Sequence, residues 1–343
     1  MRILFLKLGA IGDVIHTLPA LAALKRTYPD CYVAWVAERG GPANILVDNP
    51  LIDQLIVVNT KGWRKSLSNF GTLNEVGSTL RTLRGFDIAI DFQGLIKSAV
   101  LARLSGAPIR IGFDSSSMRE PAAAILYNRK IKADDSAHII KKNLSLLEGL
   151  EINSISQAEF PVGLSSNDLL RAEGIAADGP FAIINPGGGW VTKLWNPASY
   201  GTLADRLWET YGLRSIVTYG PGEEALAASV AATSKSGHTL PSLLSLKELW
   251  AVCQKAQLFV GGDTGPLHIA AAAHTPLVGI YGPTPSARNG PFAVDDLVIE
   301  RNDLDCRENC FRRTCSHISC MKIEVETVWK GVEARLKERG ISR

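Results

Sequence analysis

Short apolar runs alternate with longer segments of helical periodicity along most of this chain, and the series begins twice. The first series starts at residues 3–8 and the second at residues 180–187. Such alternation is typical of parallel sheets whose strands are connected by helices. Because 343 residues exceed the size at which a single core stops growing, the repetition predicts an α/β protein with two Rossmann-like domains.

The two series predict individual elements. In the first, strands are predicted at 3–8, 32–37, 54–58 and 86–92, and helices at 14–28, 75–84 and 95–105. In the second, strands are predicted at 180–187, 213–222, 256–263 and 275–283, and helices at 197–211, 223–234, 246–256 and 266–273. Periodicity is lost within 151–180, and a last helical pattern runs from Ile323 to Lys337. We therefore predict an N-terminal domain over 1–165, a C-terminal domain over 175–322 and a closing helix within 323–343.

The composition is typical of a globular protein, and neither a membrane span nor a secretory signal is predicted. Hydrophobic residues make up 46% of the chain and charged residues 21%, as in ordinary globular proteins. No segment reaches the roughly 18 uncharged apolar residues that a membrane span requires. The apolar N-terminus is interrupted by Lys7 and Asp13 and lacks the cleavage site typical of a secretory signal. We therefore expect a cytoplasmic location.

Positive charge is concentrated in one part of the chain. Residues 60–143 contain 14 Lys and Arg against 7 Asp and Glu, whereas the net charge of the whole chain is only +3. A local basic surface indicates an anionic partner, which could be phosphorylated, carboxylated, a nucleic acid or a membrane. The alternative is a basic face that is merely solvated.

Four of the six cysteines lie close together near the C-terminus. They are separated by three, four and four residues, a spacing unlike the paired CxxC of common zinc sites. In a cytoplasmic protein we therefore expect reduced, packed thiols rather than a structural metal site. The four residues are Cys306, Cys310, Cys315 and Cys320.

The strongest local signal for chemistry is "VGGDTGPLHIAAAAHTPLVGIYGPTP", residues 260–285. A buried strand leads through a turn to a small apolar helix, whose first backbone N–H groups and dipole favour a phosphate. Those N–H groups would come from Thr264, Gly265 and Leu267. The alternative is a structural turn in which Asp263 caps the helix. His268 and His274, considered singly, are more typical of packed helical histidines than of catalysts.

A second candidate is "NPGGGWVTKLWNPASY", residues 185–200. Its glycines let a ligand approach the backbone, and Lys193 would supply a mobile positive charge for a phosphate. Alternatively, Lys193 is simply an exposed lysine. The "YGPGEE" segment after the next predicted strand offers Glu223 or Glu224 to a ribose diol.

The first predicted strand is followed by "LGAIGD", residues 8–13. This Gly-x-x-Gly pattern departs from the Gly-x-Gly-x-x-Gly dinucleotide fingerprint, so an NAD(P)-dependent enzyme is disfavoured. Asp13 either caps a helix beginning at Val14 or acts as a general base in a cleft. The residues alone leave both interpretations open.

Taken together, these segments resemble the bacterial ADP-heptose:lipopolysaccharide heptosyltransferases of glycosyltransferase family 9, above all the heptosyltransferase I type. The resemblance covers nearly the whole chain. It rests on "GAIGDVIHTLPAL", "GWRK", "DFQGLIKSA", "REPAAAILYNRK", the segment Lys193-Leu194-Trp195, "LSLKEL" and "GGDTGPLHIAAA". It implies a GT-B fold, with two Rossmann-like domains whose parallel sheets face a central cleft. It also implies inverting transfer that needs neither metal nor cofactor.

The resemblance implies roles for individual residues. Asp13 corresponds to the catalytic base. The residues that correspond to the donor-binding side are Lys193, Gly188, Gly189, Glu223, Leu244, Asp263, Thr264, Gly265 and His268. Those that correspond to the basic acceptor side are Arg64, Lys65, Lys97 and Arg119. Gly188 and Gly189 stand where the heptosyltransferase I type has hydroxyl side chains, so phosphate contacts there would come from backbone N–H groups.

The implied reaction moves heptose from ADP-L-glycero-D-manno-heptose to a Kdo residue of the lipopolysaccharide inner core. The expected partners are ADP-heptose, the Kdo-lipid A acceptor and, peripherally, the inner leaflet of the cytoplasmic membrane, with no nucleic acid. The first alternative is heptosyltransferase II-type transfer to an already heptosylated core. From other classes, the alternatives are an NAD(P)-dependent two-domain oxidoreductase and a non-catalytic glycolipid binder in which Asp13 is only a cap.

Overall fold

The structure is a computed structural model that describes residues 1–66, 69–152, 158–307, 310 and 312–341. Contacts divide the chain into two compact units, Met1–Gly163 and Leu164–Arg343. Each unit contains a six-stranded sheet in which all recorded strand pairs are parallel. The predicted α/β fold class with two parallel sheets is therefore confirmed.

The first unit orders its strands β3-β2-β1-β4-β5-β6. Its strands are β1 (Arg2–Leu6), β2 (Tyr32–Glu38), β3 (Gln54–Val58), β4 (Ile88–Asp91), β5 (Ile109–Phe113) and β6 (Arg129–Ile131). Its helices are α1 (Ile11–Ile15), α2 (Leu18–Thr27), α3 (Gly41–Asn44), α4 (Thr60–Lys65), α5 (Phe70–Thr82), α6 (Ile96–Leu104) and α7 (Ile139–Ser145). Short 3-10 helices cover Ser115–Ser117, Pro121–Leu126 and Leu146–Leu150.

The second unit repeats this arrangement, in the order β12-β11-β10-β7-β8-β9. Its strands are β7 (Phe181–Asn185), β8 (Arg214–Tyr219), β9 (Thr239–Leu243), β10 (Leu258–Gly262), β11 (Leu277–Tyr281) and β12 (Leu297–Glu300). Its helices are α8 (Ser166–Ala177), α9 (Pro197–Tyr211), α10 (Glu224–Thr233), α11 (Leu246–Cys253), α12 (Gly265–Ala272), α13 (Ser286–Asn289) and α14 (Val325–Glu338). Short 3-10 helices cover Val191–Lys193, Asp305–Arg307 and Ser319–Met321.

The central strands form the cores of the two units. Every residue of β7, β10 and β11 is buried, as expected for parallel strands that are covered by helices on both faces. The last helix, α14, packs against β11 and β12 of the second sheet. Within the described residues, we find no helix whose length and apolar character would let it cross a membrane.

Several elements were not predicted from the sequence, among them the inner strand β5 and three of the four edge strands. The edge strands β6, β9 and β12 each contain polar residues, and most of their positions are half-buried or exposed. Helix α8 lies within the segment that was predicted to lack periodicity. Its Leu169 and Leu170 are exposed, so its apolar residues do not form the single buried stripe from which a helix is predicted. The single helix predicted over 14–28 is instead two helices, α1 and α2, with Pro19 in the first turn of the second.

The two sheets share one topological feature that positions the candidate site. In each, the strand order reverses beside the first strand, between β1 and β4 in the first unit and between β7 and β10 in the second. Ligands of such sheets bind outside the carboxyl ends of the strands at this switch point. The segments that follow these four strands are therefore where functional side chains are expected.

Candidate active site

Asp13 lies in the first turn of α1, the helix that follows β1. Helix α1 begins at Ile11, so Asp13 is its third residue and not a cap that precedes Val14. Its Oδ2 nevertheless accepts the backbone N–H of Ala10 at 2.9 Å. The cap interpretation was therefore wrong about where the helix begins, although the carboxylate does satisfy one backbone donor at the helix start. Asp13 is half-buried, which leaves part of it accessible to a ligand.

The loop that leads to Asp13 is held by the segment after β4. The Oε1 atom of Gln93 accepts the backbone N–H groups of Leu8 at 3.0 Å and Gly9 at 3.2 Å. The buried Lys7 donates from Nζ to the carbonyl of Phe92 at 2.8 Å. These contacts connect the two strands that flank the switch point. The position of the Asp13 loop thus depends on the neighbouring strand as well as on its own sequence.

The four predicted acceptor-side cations follow strand ends of the same sheet. Arg64 and Lys65 form the last turn of α4, which comes after β3, and both are exposed. Lys97 is half-buried in the first turn of α6, after β4, and Arg119 is exposed in the segment after β5. All four therefore belong to the connections at the carboxyl edge of the first sheet, where Asp13 also lies.

Lys193 and Asp263 form a buried ion pair in the second unit. Lys193 comes after β7 and Asp263 comes after the adjacent strand β10. The Nζ atom of Lys193 lies 2.5 Å from Oδ2 of Asp263 and also donates to the Asp263 carbonyl at 3.1 Å. Their side chains are 10% and 4% exposed. The alternative in which Lys193 is simply an exposed lysine is therefore wrong.

The Asp263 carboxylate is the acceptor at the centre of this cluster. Besides Lys193, it accepts Thr284 Oγ1 at 2.6 Å and Asn289 Nδ2 at 3.0 Å, and His268 Nε2 lies 3.3 Å from Oδ1. Burial alone would raise the pKa of Asp263, but the hydrogen bonds and charges of His268 and Lys193 hold the pKa well below its ordinary value. Asp263 is thus ionised at neutral pH and compensates the charge of Lys193.

The start of α12 offers the predicted anion site. The helix begins at Gly265 with Thr264 in the N-cap position and Pro266 second in the helix. The first N–H groups of a helix have no partner within it, so those of Gly265 and Leu267 are available to a phosphate. The alternative in which Asp263 caps this helix is wrong, because Thr264 occupies the cap position and the Asp263 carboxylate is used in the ion pair.

The glycine run after β7 lies against Glu223. A Cβ on Gly187 would lie 2.6 Å from Oε1 of Glu223, so a side chain at position 187 would displace this carboxylate. The other oxygen of Glu223 accepts the Gly220 N–H at 3.0 Å. Of the two predicted glycines, Gly188 is half-buried and Gly189 is exposed. The structure therefore brings Glu223 beside the loop of Lys193, where a side chain at position 187 would move the Glu223 carboxylate and one at position 188 would meet Leu194.

The remaining predicted donor-side residues lie on neighbouring connections. Leu244 is buried between β9 and α11. Glu224, the alternative to Glu223, is exposed and accepts the Gly222 N–H at 3.1 Å. His274, the second histidine of the predicted phosphate segment, is exposed rather than packed.

The C-terminal cysteines are free thiols. Cys306 is exposed and the other three are half-buried, so they are less closely packed than predicted. Among the described residues, no group of three or more His, Cys, Asp or Glu side chains has a geometry suited to a metal ion.

Sequence comparison assigns the chain to a family. The profile of glycosyltransferase family 9 (heptosyltransferase) matches residues 76–320, more than half of the chain. Lipopolysaccharide heptosyltransferase 1 of Pseudomonas aeruginosa is 31% identical over 319 residues, which cover 92% of this chain and 88% of that protein. The chain belongs to glycosyltransferase family 9. It is therefore a glycosyltransferase, and this membership does not support the oxidoreductase or the non-catalytic alternative.

Other relatives agree with this assignment. Lipopolysaccharide heptosyltransferase 1 of Salmonella typhimurium is 31% identical over 302 residues, 87% of this chain and 93% of that protein. The solved structure of E. coli heptosyltransferase WaaC with ADP-2-deoxy-2-fluoro heptose has a TM-score of 0.78 and 26% identity, and the match covers 97% of this chain and 99% of that one. E. coli heptosyltransferase II, at 19% identity and a TM-score of 0.77, shares the fold. The predicted family is thus confirmed.

Two residues that bind Asp263 in this family 9 chain were not predicted. Thr284 and Asn289 follow β11, which is the neighbour of β10 in the sheet. Tyr281, at the end of β11, donates to the carbonyl of Asn289 at 3.2 Å and so helps to position it. Thr284 lies within the quoted segment 260–285. Adjacent parallel strands end at the same edge of a sheet. The position of Thr284 just after the predicted strand 275–283 could therefore have identified it as a neighbour of Asp263.

Proposed function

We propose that this glycosyltransferase moves heptose from ADP-L-glycero-D-manno-heptose to a Kdo residue of the lipopolysaccharide inner core, with inversion at the anomeric carbon. The observation that carries the proposal is the buried Lys193–Asp263 pair beside the start of α12, at the switch point of the second sheet. Relatives more than 30% identical over most of this chain are named lipopolysaccharide heptosyltransferase 1, which favours the Kdo acceptor over an already heptosylated core.

On the donor side, these residues would bind ADP-heptose and stabilise the leaving ADP. Negative charge develops on the diphosphate as the sugar bond breaks, and preorganised donors stabilise such charge most in the transition state. Lys193 and the first N–H groups of α12 supply those donors, and the backbone of Gly188 and Gly189 adds further N–H groups. Glu223 would accept the ribose hydroxyls, and Leu244 would pack against adenine. WaaC, which resembles this chain, has been solved with an ADP-heptose analogue.

On the acceptor side, Asp13 would accept the proton of the attacking hydroxyl. A carboxylate can both remove this proton and stabilise positive charge on the sugar ring in an oxocarbenium-like transition state. Attack opposite to the departing ADP inverts the anomeric carbon. Arg64, Lys65, Lys97 and Arg119 would bind the carboxylates and phosphates of the acceptor by charge-assisted hydrogen bonds. The first unit is thus proposed to bind the acceptor and the second the donor.

The proposal is tested by incubating the protein with ADP-heptose and Kdo2-lipid A. We expect mass spectrometry to show one added heptose together with release of ADP. A parallel reaction with an already heptosylated core distinguishes the heptosyltransferase II-type alternative. Neither product nor ADP release with either acceptor would contradict the proposal.

We also expect turnover to be independent of divalent metal. Lys193 and the first backbone N–H groups of α12 would donate hydrogen bonds to the leaving diphosphate, and the proposed site relies on these donors rather than on a divalent ion. Protein dialysed against EDTA and assayed in EDTA should therefore release ADP at the rate of the untreated enzyme. Loss of turnover that added Mg²⁺ restores would contradict this expectation.

We propose that the protein works in the cytoplasm, bound peripherally to the inner leaflet of the membrane through α6. Ile96, Val100 and Leu104 are 47%, 39% and 47% exposed and follow one another at intervals of four residues on this helix. Ile125, 80% exposed, lies on the 3-10 helix that packs against α6. Basic residues on and beside this apolar stripe, Lys97, Arg103 and Arg119, suit an anionic lipid surface.

Replacing the stripe with serines (I96S, V100S and L104S together) should reduce binding to vesicles containing phosphatidylglycerol by about tenfold or more, since three apolar side chains lose their burial in lipid. Co-sedimentation with vesicles measures this change. V294S is the matched control, because Val294 is a fully exposed valine on the second unit. A triple variant that sediments like the wild-type protein would contradict the assignment of this face.

A further inference from the structure

The side chain of Trp190, in the loop after β7, contacts two cations. The Nζ atom of Lys193 is 4.3 Å from the centre of the Trp190 rings, and the guanidinium carbon of Arg313 is 5.3 Å from it. Both distances are typical of cation–π contacts. Thr192 donates from Oγ1 to the carbonyl of Arg312 at 2.8 Å, which attaches the segment of Arg313 to the loop after β7. Trp190, Lys193 and Arg313 thus form one group, called here the Trp190 cluster.

The indole nitrogen of Trp190 lacks an acceptor in this cluster. Its Nε1 atom is buried, and no hydrogen-bond partner for it exists among the described residues. An indole N–H can only donate, and neither a lysine ammonium nor an arginine guanidinium can accept a hydrogen bond. Buried donors without a partner are rare in folded proteins because they lose their hydration without compensation. The cluster therefore presents three donor groups and lacks an acceptor.

The charges of the cluster indicate that this acceptor is an anion. The charge of Lys193 is compensated by Asp263, at 2.5 Å. No carboxylate in the described part of the chain forms an ion pair with Arg313, which is exposed. A diphosphate that approached Lys193 alone would meet an ion pair without net charge. Arg313 adds the uncompensated positive charge, and a guanidinium can bind two phosphate oxygens at once.

We propose that the indole N–H of Trp190 and the guanidinium of Arg313 bind the diphosphate of the sugar nucleotide, together with Lys193. This inference rests on the proposed function, because it assumes a nucleoside diphosphate at the carboxyl edge of the second sheet. It assigns a binding role to the segment around Arg313. Gly188 and Gly189 have no side chain that could donate to a phosphate. On this proposal, Trp190 supplies the side-chain donor that this loop otherwise lacks.

The test compares ADP and adenosine by calorimetry on the full chain. W190F removes the N–H but retains an aromatic ring for the two cations, and R313Q removes the charge. We expect each variant to bind ADP about tenfold more weakly, since each loses one hydrogen bond to a charged group. Adenosine, which lacks phosphate, should bind each variant as it binds the wild-type protein. Because both residues are proposed to contact the same diphosphate, the loss in the combined variant should differ from the sum of the two separate losses.

W208F is the matched control. Trp208 lies on α9 of the same unit and stacks on His238 with ring centres 3.4 Å apart, so its replacement removes an indole elsewhere in the unit. ADP affinity should not change in W208F. Unchanged ADP affinity in W190F or R313Q, or an equal loss for ADP and adenosine, would overturn the inference. A wild-type protein that binds no ADP would overturn the proposed function itself, and the inference with it.

Discussion

Replacing Asp13 with asparagine is expected to lower kcat by about 10²–10⁴-fold, the usual contribution of a general base. The reason is that the amide cannot accept the proton of the acceptor hydroxyl. Its side-chain oxygen can still accept the Ala10 N–H, which Asp13 accepts at 2.9 Å, so the start of α1 should be retained. The loss should therefore appear in turnover and not in the folding of the first unit.

The measurement is ADP release at saturating ADP-heptose and Kdo2-lipid A, together with the melting temperature of each variant. D114N is the matched control, because Asp114 follows β5 of the same sheet and accepts the Ser116 N–H at 3.0 Å. That variant makes the same chemical change at another turn and should retain its turnover. If D13N released ADP at the wild-type rate, Asp13 would not be the base.

Replacing Asp263 with alanine is expected to destabilise the second unit by about 3–5 kcal/mol, the usual effect of removing one partner of a buried ion pair. The ammonium of Lys193 would lose its counter-charge while remaining in a buried position. Thr284, Asn289 and His268 would lose their shared acceptor at the same time. The large effect follows from this loss of several partners at once.

Urea unfolding of the full chain, followed by tryptophan fluorescence, measures this effect. The second unit contains five of the seven tryptophans, so its transition should dominate the signal. D303A is the control, because Asp303 pairs with Arg301 on the surface and its loss should leave the transition unchanged. A D263A midpoint equal to that of D303A would show that the cluster does not stabilise the unit.

The same carboxylate should make stability depend on pH in acid. Its pKa is lower in the folded protein than in the unfolded chain, where Asp titrates near a pKa of about 3.9. Such a group stabilises the fold fully above the unfolded pKa, and the stabilisation is lost as the pH falls further. Wild-type stability should therefore decline below about pH 4 more steeply than that of D263A. Parallel declines in the two proteins would contradict the lowered pKa.

Most of the strands that the sequence predicted are buried on both faces, although the edge strand β3 was predicted too and the inner strand β5 was not. Strands β1, β2, β7, β10 and β11 are short, nearly continuous apolar runs because helices cover both sides of each sheet. Strands β6, β9 and β12 pair on one side only, so polar and exposed residues are tolerated in them.

The parts of the candidate site that depend only on neighbouring residues in the sequence could be predicted. The turn and helix of residues 261–272 form as expected because their glycines, proline and alanines favour that geometry over a few neighbouring positions. Helix α1 was placed three residues too late, because the cap alternative assumed that Asp13 precedes its helix. A short helix of five residues has too few positions for its start to be read from periodicity.

By itself, the sequence determined the parallel α/β class, the family and the segments in which functional residues lie, because these depend on short-range pattern and on resemblance. Only the tertiary structure decided that Lys193 is buried against Asp263, 70 residues away, with Thr284 and Asn289 as further partners. It also decided that Gln93 holds the loop before Asp13. The physical reason is that such contacts depend on which strands are neighbours, and strand order is set by the packing of the whole sheet.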